Sequence, residues 1–335
     1  MSLGQQVRQS CRAVVERAEL LSIDPGALTA LADDLHRHWP DIEALVAGAA
    51  VPADGAGTEV EVEVERTAAE VITANAINFG SGYHDVVNKD EGLSGARTMA
   101  ARWGRHLELA WAEYAAAPGA LARYLTELST DDCAAIFGQD SGHDEQRELM
   151  ALFAQALADL GAAVLDATGG RFAAFVEAAD RSGQGLAETL GQTPFYADEA
   201  LIDGHRVVFH KRSQITVADL GRALPHWGPA QFTDLDQLTA FADNLVPHVL
   251  RVDGVLRYPP DLAATIDGGV RLEWGSRAEI EIRAHGVEGV EQLTSALRSR
   301  GRPARAMDVD LALWTRGGLP HYKAVPRHRA RCVYY

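Results

Sequence analysis

Four stretches of the sequence place polar side chains inside patterns that are otherwise apolar. They are ANAINFGSGY (residues 74–83), VVFHKRSQIT (207–216), FADNLVPH (241–248), and the pair EIEIRA (279–284) and DVDLALW (308–314). Apolar periodicity predicts burial, and a buried polar group is costly unless it has a partner or a function. Together the stretches supply carboxylates, a cation, amides and aromatic rings, which is the inventory of a nucleobase or nucleoside pocket.

Each of these residues also has an ordinary structural explanation. The structural alternatives are Asn78 as a helix C-cap, Lys211 paired with a carboxylate, Glu281 and Arg283 as a surface pair, Asp308 as an N-cap, and Trp314 as a core residue. Each explanation is sufficient for a single residue, so only the combination of the four stretches indicates a site.

Residues 238–258 carry the carboxylate at the centre of this set. Their apolar positions recur every three or four residues, which predicts helical elements buried on one face. Pro247 interrupts the pattern, because proline lacks an amide donor and clashes with the preceding turn. We therefore expect two short helices that meet near Leu245 and Val246. Asp243 lies beside this corner, either as a helix cap or as a group kept for its chemistry.

The remaining hydrophobic spacing is mostly helical, and it predicts a mainly α protein with a single helical domain and one small β-hairpin. The predicted helices cover about residues 4–21, 25–46 with Asp24 as N-cap, 66–79, 94–114, 118–128, 130–137, 145–168, 172–179, 185–190, 216–223, 234–250, 260–266, 277–298 and 307–314. The hairpin is ALIDGHRVVFHK (200–211), with Asp203-Gly204 as its turn. VPADGAG (51–57) is a predicted loop, and the alternation of Val and Glu over 59–65 fits a strand or a helix.

Composition narrows the class of protein. With 335 residues, 47% of them hydrophobic, and no signal-peptide pattern at the start, the sequence predicts a soluble globular protein. No later run looks long enough to span a bilayer, so a membrane is not an expected partner. The formal net charge of -16 argues against duplex nucleic acid, which proteins bind through arrays of Lys and Arg. Three widely separated cysteines favour a cytoplasmic location.

Most familiar catalytic motifs are missing. The sequence has no P-loop, HExxH or GxSxG motif, and Gly80-Ser81-Gly82 lacks the third glycine of a dinucleotide site. His36 and His38 are two positions apart, which directs them to different faces of a helix. We therefore expect no metal and no cofactor, and a small-molecule substrate remains the open possibility.

The last stretch, residues 311–335, has no acidic residue. Its basic residues are Arg316, His321, Lys323, Arg327, His328, Arg329 and Arg331. A solvated basic tail is one explanation, and an anion pocket is the other, because Arg binds phosphate oxygens bidentately. The chain ends in Val-Tyr-Tyr, which favours a docked terminus over a disordered one.

Six stretches carry a resemblance to a known family. In chain order they are NAINFGSGY, FHKRSQITVADL, LTAFADNLVPHVLRVDGVLRY, EIEIRAHGVEGVEQL, DLALW and PRHRARCVYY, and the match covers most of residues 71–335. They resemble the queuosine salvage family, the queuosine 5′-phosphate N-glycosylases (hydrolases). We interpret the chain as a bacterial member, with residues 1–57 as an N-terminal helical part and 58–335 as the family core. The resemblance implies a helical fold similar to helix-hairpin-helix DNA glycosylases.

The resemblance also implies a reaction: hydrolysis of the N-glycosidic bond of queuosine 5′-monophosphate, which releases ribose 5-phosphate and queuine for reuse in tRNA. Such cleavage passes through an oxocarbenium-like state that a carboxylate stabilises. Asp243 is the candidate for that role, with Lys211 as the second catalytic candidate. The guanine-like edge of the base presents two adjacent donors, which Asp310, with Glu281 as the runner-up, would accept.

Lys211 and the basic terminus would hold the phosphate, while Phe79, Tyr83 or Trp314 would stack on the base. The candidate substrate-binding residues are Asn78, Phe79, Tyr83, Asn244, His248, Glu281, Asp310, Trp314, Arg327 and Arg329. In many eukaryotic members of the family, the corresponding stretch resembles an Asp followed by Asn-Phe-Ser-Phe-Trp. This chain has Asn75 and then Asn-Phe-Gly-Ser-Gly, so an amide replaces a carboxylate and one aromatic ring is lost.

Two other functions stay open from the sequence. One is a base-excision glycosylase acting on DNA or RNA, which the acidic balance weakens and which salt-dependent oligonucleotide binding would reveal. The other is a non-catalytic helical module that binds a nucleotide or a protein, which binding without base release would reveal.

Overall fold

The computed structural model describes residues 1–47 and 58–335, with only the backbone described at 58 and 59, and it is mainly helical. The helices in these ranges are α1 (Leu3–Glu16), α2 (Pro25–Arg37), α3 (Trp39–Ala47), α4 (Thr58–Ala76), α5 (Gly95–Ala115), α6 (Ala120–Glu127), α7 (Thr130–Ile136), α8 (Asp144–Thr168), α9 (Phe172–Glu177), α10 (Gly183–Gly191), α11 (Lys211–Ala223), α12 (Leu245–Val252), α13 (Pro260–Asp267), α14 (Arg277–Ser299), α15 (Ala306–Arg316) and α16 (Pro320–Lys323). The strands are β1 (Ser22–Ile23), β2 (Glu199–Ile202), β3 (His205–Val208) and β4 (Leu256–Arg257). The predicted mainly α class is confirmed.

The described chain forms two compact units, each built from separated segments. Unit 1 contains residues 1–47, 198–214 and 234–331, and unit 2 contains 58–197, 215–233 and 332–335. Residues 211–214 of α11 therefore belong to unit 1, and the rest of that helix belongs to unit 2. The single-domain prediction, with its boundary at residue 57, stays a prediction.

α14 is the central helix of unit 1, and α1, α2, α12 and α15 pack against it. Residues 279–290 of α14 are buried without interruption. Glycine allows the close approach of α12, because a Cβ on Gly286 would lie 2.7 Å from Cγ of Pro247. A Cβ on Gly289 would lie 3.1 Å from Cδ1 of Leu250. The contact with α14 thus fixes α12, the helix that begins just after Asp243.

Two antiparallel strand pairs complete unit 1. β2 pairs with β3 from Glu199 opposite Val208 to Ile202 opposite His205. The turn residues Asp203 (φ 50°) and Gly204 (φ 76°) both have positive φ, as a two-residue hairpin turn requires. The predicted hairpin is confirmed. The second pair, β1 with β4, was not predicted, because each strand has only two residues.

α8 is the long central helix of unit 2, and α4, α6, α7 and α9 pack against it. By length and composition it is apolar enough to cross a membrane, contrary to the expectation that no run could. Half of its most apolar 18-residue window is buried inside the structure, and Phe153, Leu157 and Leu160 are fully buried. The core helix of a globular unit shows the same pattern.

The chain terminus is docked in unit 2. The backbone amides of Gly80 and Ser81 donate to the carbonyl oxygen of Tyr335, at 3.1 and 3.4 Å. The Tyr335 side chain is buried, at 3% exposure. The prediction of a docked terminus is therefore confirmed. Gly80 has φ 102°, a conformation that disfavours any residue with a Cβ.

The predicted helix over residues 234–250 is wrong in its first half. Residues 238–244 form a buried loop, and α12 begins only at Leu245. Pro247 is thus the third residue of a single helix, where the amide has no partner within the helix, so proline is tolerated. The expected corner between two helices is absent from the described residues. The apolar spacing gave a wrong prediction because residues 238–244 are largely buried although they do not form a helix.

Other bounds differ less. The helix predicted over 25–46 is divided into α2 and α3 at His38, and the predicted N-cap is confirmed, because the Asp24 side chain accepts from the Ala27 amide at 2.7 Å. α11 begins at Lys211, five residues before the predicted start. Residues 59–65 are helical within α4. The predicted loop at 51–57 lies outside the described residues.

We expect Gly286→Ala to destabilise the protein by about 1–3 kcal/mol, because the added methyl group meets a rigid proline ring. The measurement is the urea midpoint of the folding transition followed by circular dichroism. Gly104→Ala is the matched control. It replaces a helical glycine whose Cβ would meet only ordinary contacts, so it should gain up to about 1 kcal/mol from helix propensity. Equal midpoints for the two variants would contradict the tight contact.

Candidate active site

Asp243 lies in the loop before α12 and is half-buried. Its Oδ1 accepts hydrogen bonds from the backbone amides of Leu245 at 2.8 Å and Val246 at 3.0 Å. Both amides belong to the first turn of α12, so this oxygen has the capping role that the sequence offered as one alternative. Within residues 1–47 and 58–335, no group hydrogen-bonds to Oδ2. Oδ2 can therefore serve chemistry while Oδ1 serves the fold.

Two cations face the Asp243 carboxylate. Burial lowers the pKa of Lys211 to about 8, although the carboxylates of Asp243 and Asp198 act in the opposite direction. Burial also lowers the pKa of Arg327, with Asp243 opposing the shift and Arg329 adding to it. Among the residues that the structure describes, the Arg327 guanidinium forms neither a hydrogen bond nor an ion pair. A bound anion would offset the cost of burying this charge.

A buried guanidinium supports the loop from behind. Arg283 on α14 is 0% exposed, and its Nε donates to the carbonyl oxygen of Ala242 at 2.9 Å. Its Nη2 donates to Oδ2 of Asp198 at 2.6 Å, and Nη1 lies 3.6 Å from Oε1 of Glu279. The Cζ atom lies 3.9 Å from the ring centroid of Phe209. Four different partners thus fix one side chain that contacts the backbone beside Asp243.

The KRSQI stretch closes on the same loop. The backbone amide of Lys211 donates to Oδ2 of Asp198 at 3.1 Å. Gln214, fully buried, donates through Nε2 to the carbonyl of Phe209 at 3.0 Å and accepts through Oε1 from the Thr239 amide at 2.9 Å. Sequence reasoning did not assign Asp198, because its partners lie far along the chain. Arg283 belongs to one of the four polar stretches, but the sequence offered only a surface pair with Glu281 as its structural explanation and assigned it no role in the site.

Asp310 on α15 reaches the loop from another direction. The side chain is 4% exposed, and its Oδ1 accepts from the Phe241 amide at 2.9 Å. The second predicted carboxylate is therefore bonded to the backbone two residues before Asp243. Trp314 lies one turn further along α15 and is 39% exposed, so its alternative as a core residue is wrong. Its stacking role stays a prediction.

Asn244 and His248 connect the start of α12 to the terminal segment of unit 1. Asn244 Nδ2 donates to the carbonyl of His328 at 3.1 Å, and His248 Nε2 donates to the carbonyl of Tyr322 at 2.9 Å. Burial lowers the pKa of His248, and it lowers the pKa of His328 to about 3. The carbonyl of Arg329 accepts a backbone amide from the loop before α14 at 2.8 Å. These contacts are structural, and substrate contacts by the same residues stay predictions.

Glu281 has a structural function in unit 1. Its two carboxylate oxygens accept the backbone amides of residues 19–21 at 2.9–3.1 Å. Glu281 and Arg283 are both 0% exposed, so the alternative of a surface pair is wrong. Both Glu281 oxygens are occupied by these backbone amides, and its role as the runner-up for the base stays a prediction.

Three predicted site residues, Asn78, Phe79 and Tyr83, belong to unit 2. Asn78 Nδ2 donates to Oδ1 of Asn75 at 3.1 Å, and Asn75 Nδ2 donates to Oδ2 of Asp219 at 3.1 Å. The Phe79 ring packs against two other phenylalanine rings, at centroid distances of 5.1 and 5.9 Å. Tyr83 is 2% exposed. Their roles toward a substrate stay predictions.

No group of three or more His, Cys, Asp or Glu side chains within residues 1–47 and 58–335 has the arrangement of a metal site. Two cavities of the described chain lie away from Asp243. One, of about 320 Å³, is between α1 and the β2–β3 hairpin, and the other, of about 230 Å³, is beside Trp111 in unit 2. Neither is lined by Asp243.

The fold and the site define a helical protein in which a half-buried carboxylate lies near a buried lysine and a half-buried arginine, an arrangement that suits a small anionic ligand. A family model described as queuosine salvage protein matches residues 64–335. The chain therefore belongs to the queuosine salvage protein family, as the resemblance indicated.

Named relatives agree with this membership. A protein of Sphaerobacter thermophilus named queuosine 5′-phosphate N-glycosylase/hydrolase is 38% identical over 215 residues, which cover 64% of this chain and 65% of the relative. Proteins with the same name from Mus musculus and Bos taurus are 33% and 27% identical, over 64% and 98% of this chain and 66% and 98% of the relatives. The first two matches thus span just under two thirds of those relatives. Because the relatives include bacteria and mammals, the predicted bacterial origin has no support from them.

We expect stability measurements on two variants to distinguish the roles of the two Asp243 oxygens. Asp243→Ala removes the cap of α12 and should lower the free energy of unfolding by about 0.5–2 kcal/mol. Asp243→Asn keeps an acceptor at Oδ1 and should stay close to the wild type. Chemical denaturation of both variants checks this expectation. A larger loss for Asn than for Ala would mean that Oδ1 does not act as the cap.

Proposed function

We propose that the protein hydrolyses the N-glycosidic bond of queuosine 5′-monophosphate and releases queuine and ribose 5-phosphate. The observation that carries the proposal is the Asp243 carboxylate, which has one oxygen bound to α12 and interacts electrostatically with Lys211 and Arg327. Membership in the queuosine salvage protein family and the shared name of the relatives support the choice of substrate.

Asp243 stabilises the transition state. As the bond between the anomeric carbon and the base nitrogen breaks, its electron pair goes to the base, and positive charge develops on the sugar. Oδ2 stabilises that charge and accepts a proton from the attacking water, whose oxygen bonds to the anomeric carbon. The departing base takes up one proton from solvent and leaves as queuine, and Asp243 returns its proton to solvent. The alternative is direct attack by Oδ2 through a covalent glycosyl-aspartate. Rapid quenching with intact-protein mass spectrometry distinguishes them, because only the covalent route adds the mass of a ribose phosphate.

Asp310 recognises the base by accepting hydrogen bonds from its guanine-like edge. A 7-deaza base has carbon in place of the ring nitrogen that a purine protonates, so its departure depends on hydrogen bonds at its rim. Asp310 Oδ1 already accepts the Phe241 amide at 2.9 Å, and a carboxylate has capacity for further donors. The two donors on the guanine-like edge fill that capacity. An adenine-type edge does not present two adjacent donors to a carboxylate, which supplies selectivity.

Lys211 and Arg327 hold the 5′-phosphate, with Arg329 beside them. Guanidinium and ammonium groups form charge-assisted hydrogen bonds with phosphate oxygens. Support comes from the Arg327 guanidinium, which forms neither a hydrogen bond nor an ion pair in the described chain. Phe79, Tyr83 or Trp314 supply the ring that stacks on the base, and Trp314 is the exposed one of the three.

The proposed partner is a small-molecule substrate, and the proposed location is the cytoplasm. The net charge of -16 supports a small-molecule substrate over duplex nucleic acid or a membrane. Three free, buried cysteines are consistent with the cytoplasm. The mainly helical fold is consistent with a similarity to helix-hairpin-helix DNA glycosylases, which superposition on such an enzyme would test.

We expect Asp243→Asn to remain folded but to lose roughly 10²–10⁴-fold in turnover of queuosine 5′-monophosphate, because Oδ2 loses its negative charge. Mass spectrometry of released queuine measures the loss. Asp236→Asn, an exposed carboxylate seven residues earlier, is the matched control and should keep wild-type turnover. Substantial turnover by the Asp243 variant would remove it from the chemistry, and binding without base release by the wild type would favour a non-catalytic module.

We expect kcat/KM to fall as the pH rises through about 8, because deprotonation of Lys211 removes a phosphate-binding cation. Stability changes in the opposite direction: the folded chain loses this proton at a lower pH than the unfolded chain does, so the Lys211 contribution to stability rises above about pH 8. A pH series of initial rates measures this fall in kcat/KM. The Lys211→Met variant should lack the fall, and the Lys323→Met variant should keep it. A fall that persists in the Lys211→Met variant would mean that another group is responsible.

A further inference from the structure

The loop of residues 239–244 is bonded to one guanidinium that does not itself face the substrate site. Arg283 Nε donates to the carbonyl oxygen of Ala242 at 2.9 Å, the residue directly before Asp243. The guanidinium lies 3.9 Å from the ring centroid of Phe209, which restricts the plane of the fork. The orientation of the peptide before Asp243 is therefore determined by Arg283.

The same guanidinium reaches Lys211 through one carboxylate. Asp198 Oδ2 accepts from Arg283 Nη2 at 2.6 Å and from the backbone amide of Lys211 at 3.1 Å. The carbonyl oxygen of Asp198 accepts the amides of Phe209 and His210, at 3.0 and 3.2 Å. Asp198 therefore holds the backbone on which Lys211 begins α11. All of these groups belong to unit 1, and Arg283 and Asp198 are at most 2% exposed.

We propose that Arg283 and Asp198 are positioning residues that fix the separation between the Asp243 carboxylate and the Lys211 ammonium group. The pair connects the two backbone segments that carry these groups, through three hydrogen bonds of 3.1 Å or less. This inference rests on the proposed function, because that separation matters only if both groups act on one substrate. A lysine at position 283 would keep the charge but could not form both hydrogen bonds in the same plane.

The kinetic test compares two arginines of α14. Arg283→Lys should lower kcat for queuosine 5′-monophosphate by roughly 10²-fold and change KM little, because a small misplacement of reacting groups affects the transition state most. Arg277→Lys is the matched control. Arg277 also pairs with carboxylates, those of Asp203 and Glu281, but it contacts neither Ala242 nor Asp198. Its variant should keep the wild-type kcat.

The second test needs no substrate and measures the separation through the Lys211 pKa. The sequence contains only three lysines, at positions 89, 211 and 323, so their side-chain NMR signals can be assigned with Lys89→Arg and Lys323→Arg. Asp243→Asn removes an anion that raises the Lys211 pKa, so it should lower that pKa. The Arg283→Lys background adds a fourth lysine signal, which Lys211→Arg in that background separates from the signal of Lys211. There the downward shift should be at least halved, because the two groups are no longer held at one distance.

The two tests together decide the inference. A fall in kcat with a reduced pKa coupling supports positioning. An unchanged kcat overturns it, and so does a fall in kcat with an unchanged coupling, since that would be a structural effect alone. If the wild type releases no queuine, the proposed function fails, and the NMR cycle still decides whether the separation is set by Arg283. If Arg283→Lys does not fold, Phe209→Leu, which removes the ring under the guanidinium, replaces it in both tests.

Discussion

The buried loop of residues 239–244 is the constraint on which the site depends. A buried backbone outside a helix or sheet must find other partners for its amide and carbonyl groups. Here the partners are side chains from distant elements: Gln214 for the Thr239 amide, Asp310 for the Phe241 amide and Arg283 for the Ala242 carbonyl. Three elements, α11, α14 and α15, must each present a buried polar group to one short loop.

This constraint explains why polar residues gather in four stretches of an otherwise apolar pattern. Several of them satisfy backbone groups: Glu281 at residues 19–21, Asn244 at His328 and His248 at Tyr322. In the sequence such residues have the same signature as substrate ligands, a polar side chain at a buried position. The structure shows which of them bind the backbone. Asp243 does so through one oxygen, which caps α12, while its other oxygen accepts no hydrogen bond in the described chain.

Sequence reasoning found most helices because their signals are local. Apolar spacing, Asp24 as an N-cap and the Asp203-Gly204 turn all depend on residues close in the chain. It failed at residues 238–244, where apolar residues at helical spacing form a loop whose hydrogen bonds come from residues 25 to 69 positions away. The polar pattern singles out Asp243 and Asp310, and the resemblance supplies their predicted roles. The Arg283–Asp198 pair joins positions 85 apart, a contact that no local pattern encodes.

Charge completes the description of the site, because the chain is acidic overall but locally cationic around Asp243. One carboxylate faces two cations, Lys211 and Arg327, and burial lowers the pKa of both. Such a group of charges is costly to keep buried and becomes less so when an anion enters. A phosphate brings about two negative charges at neutral pH, whereas a nucleoside brings none. The charges around Asp243 therefore favour the binding of a nucleotide over that of the corresponding nucleoside. This preference requires no contact with the base.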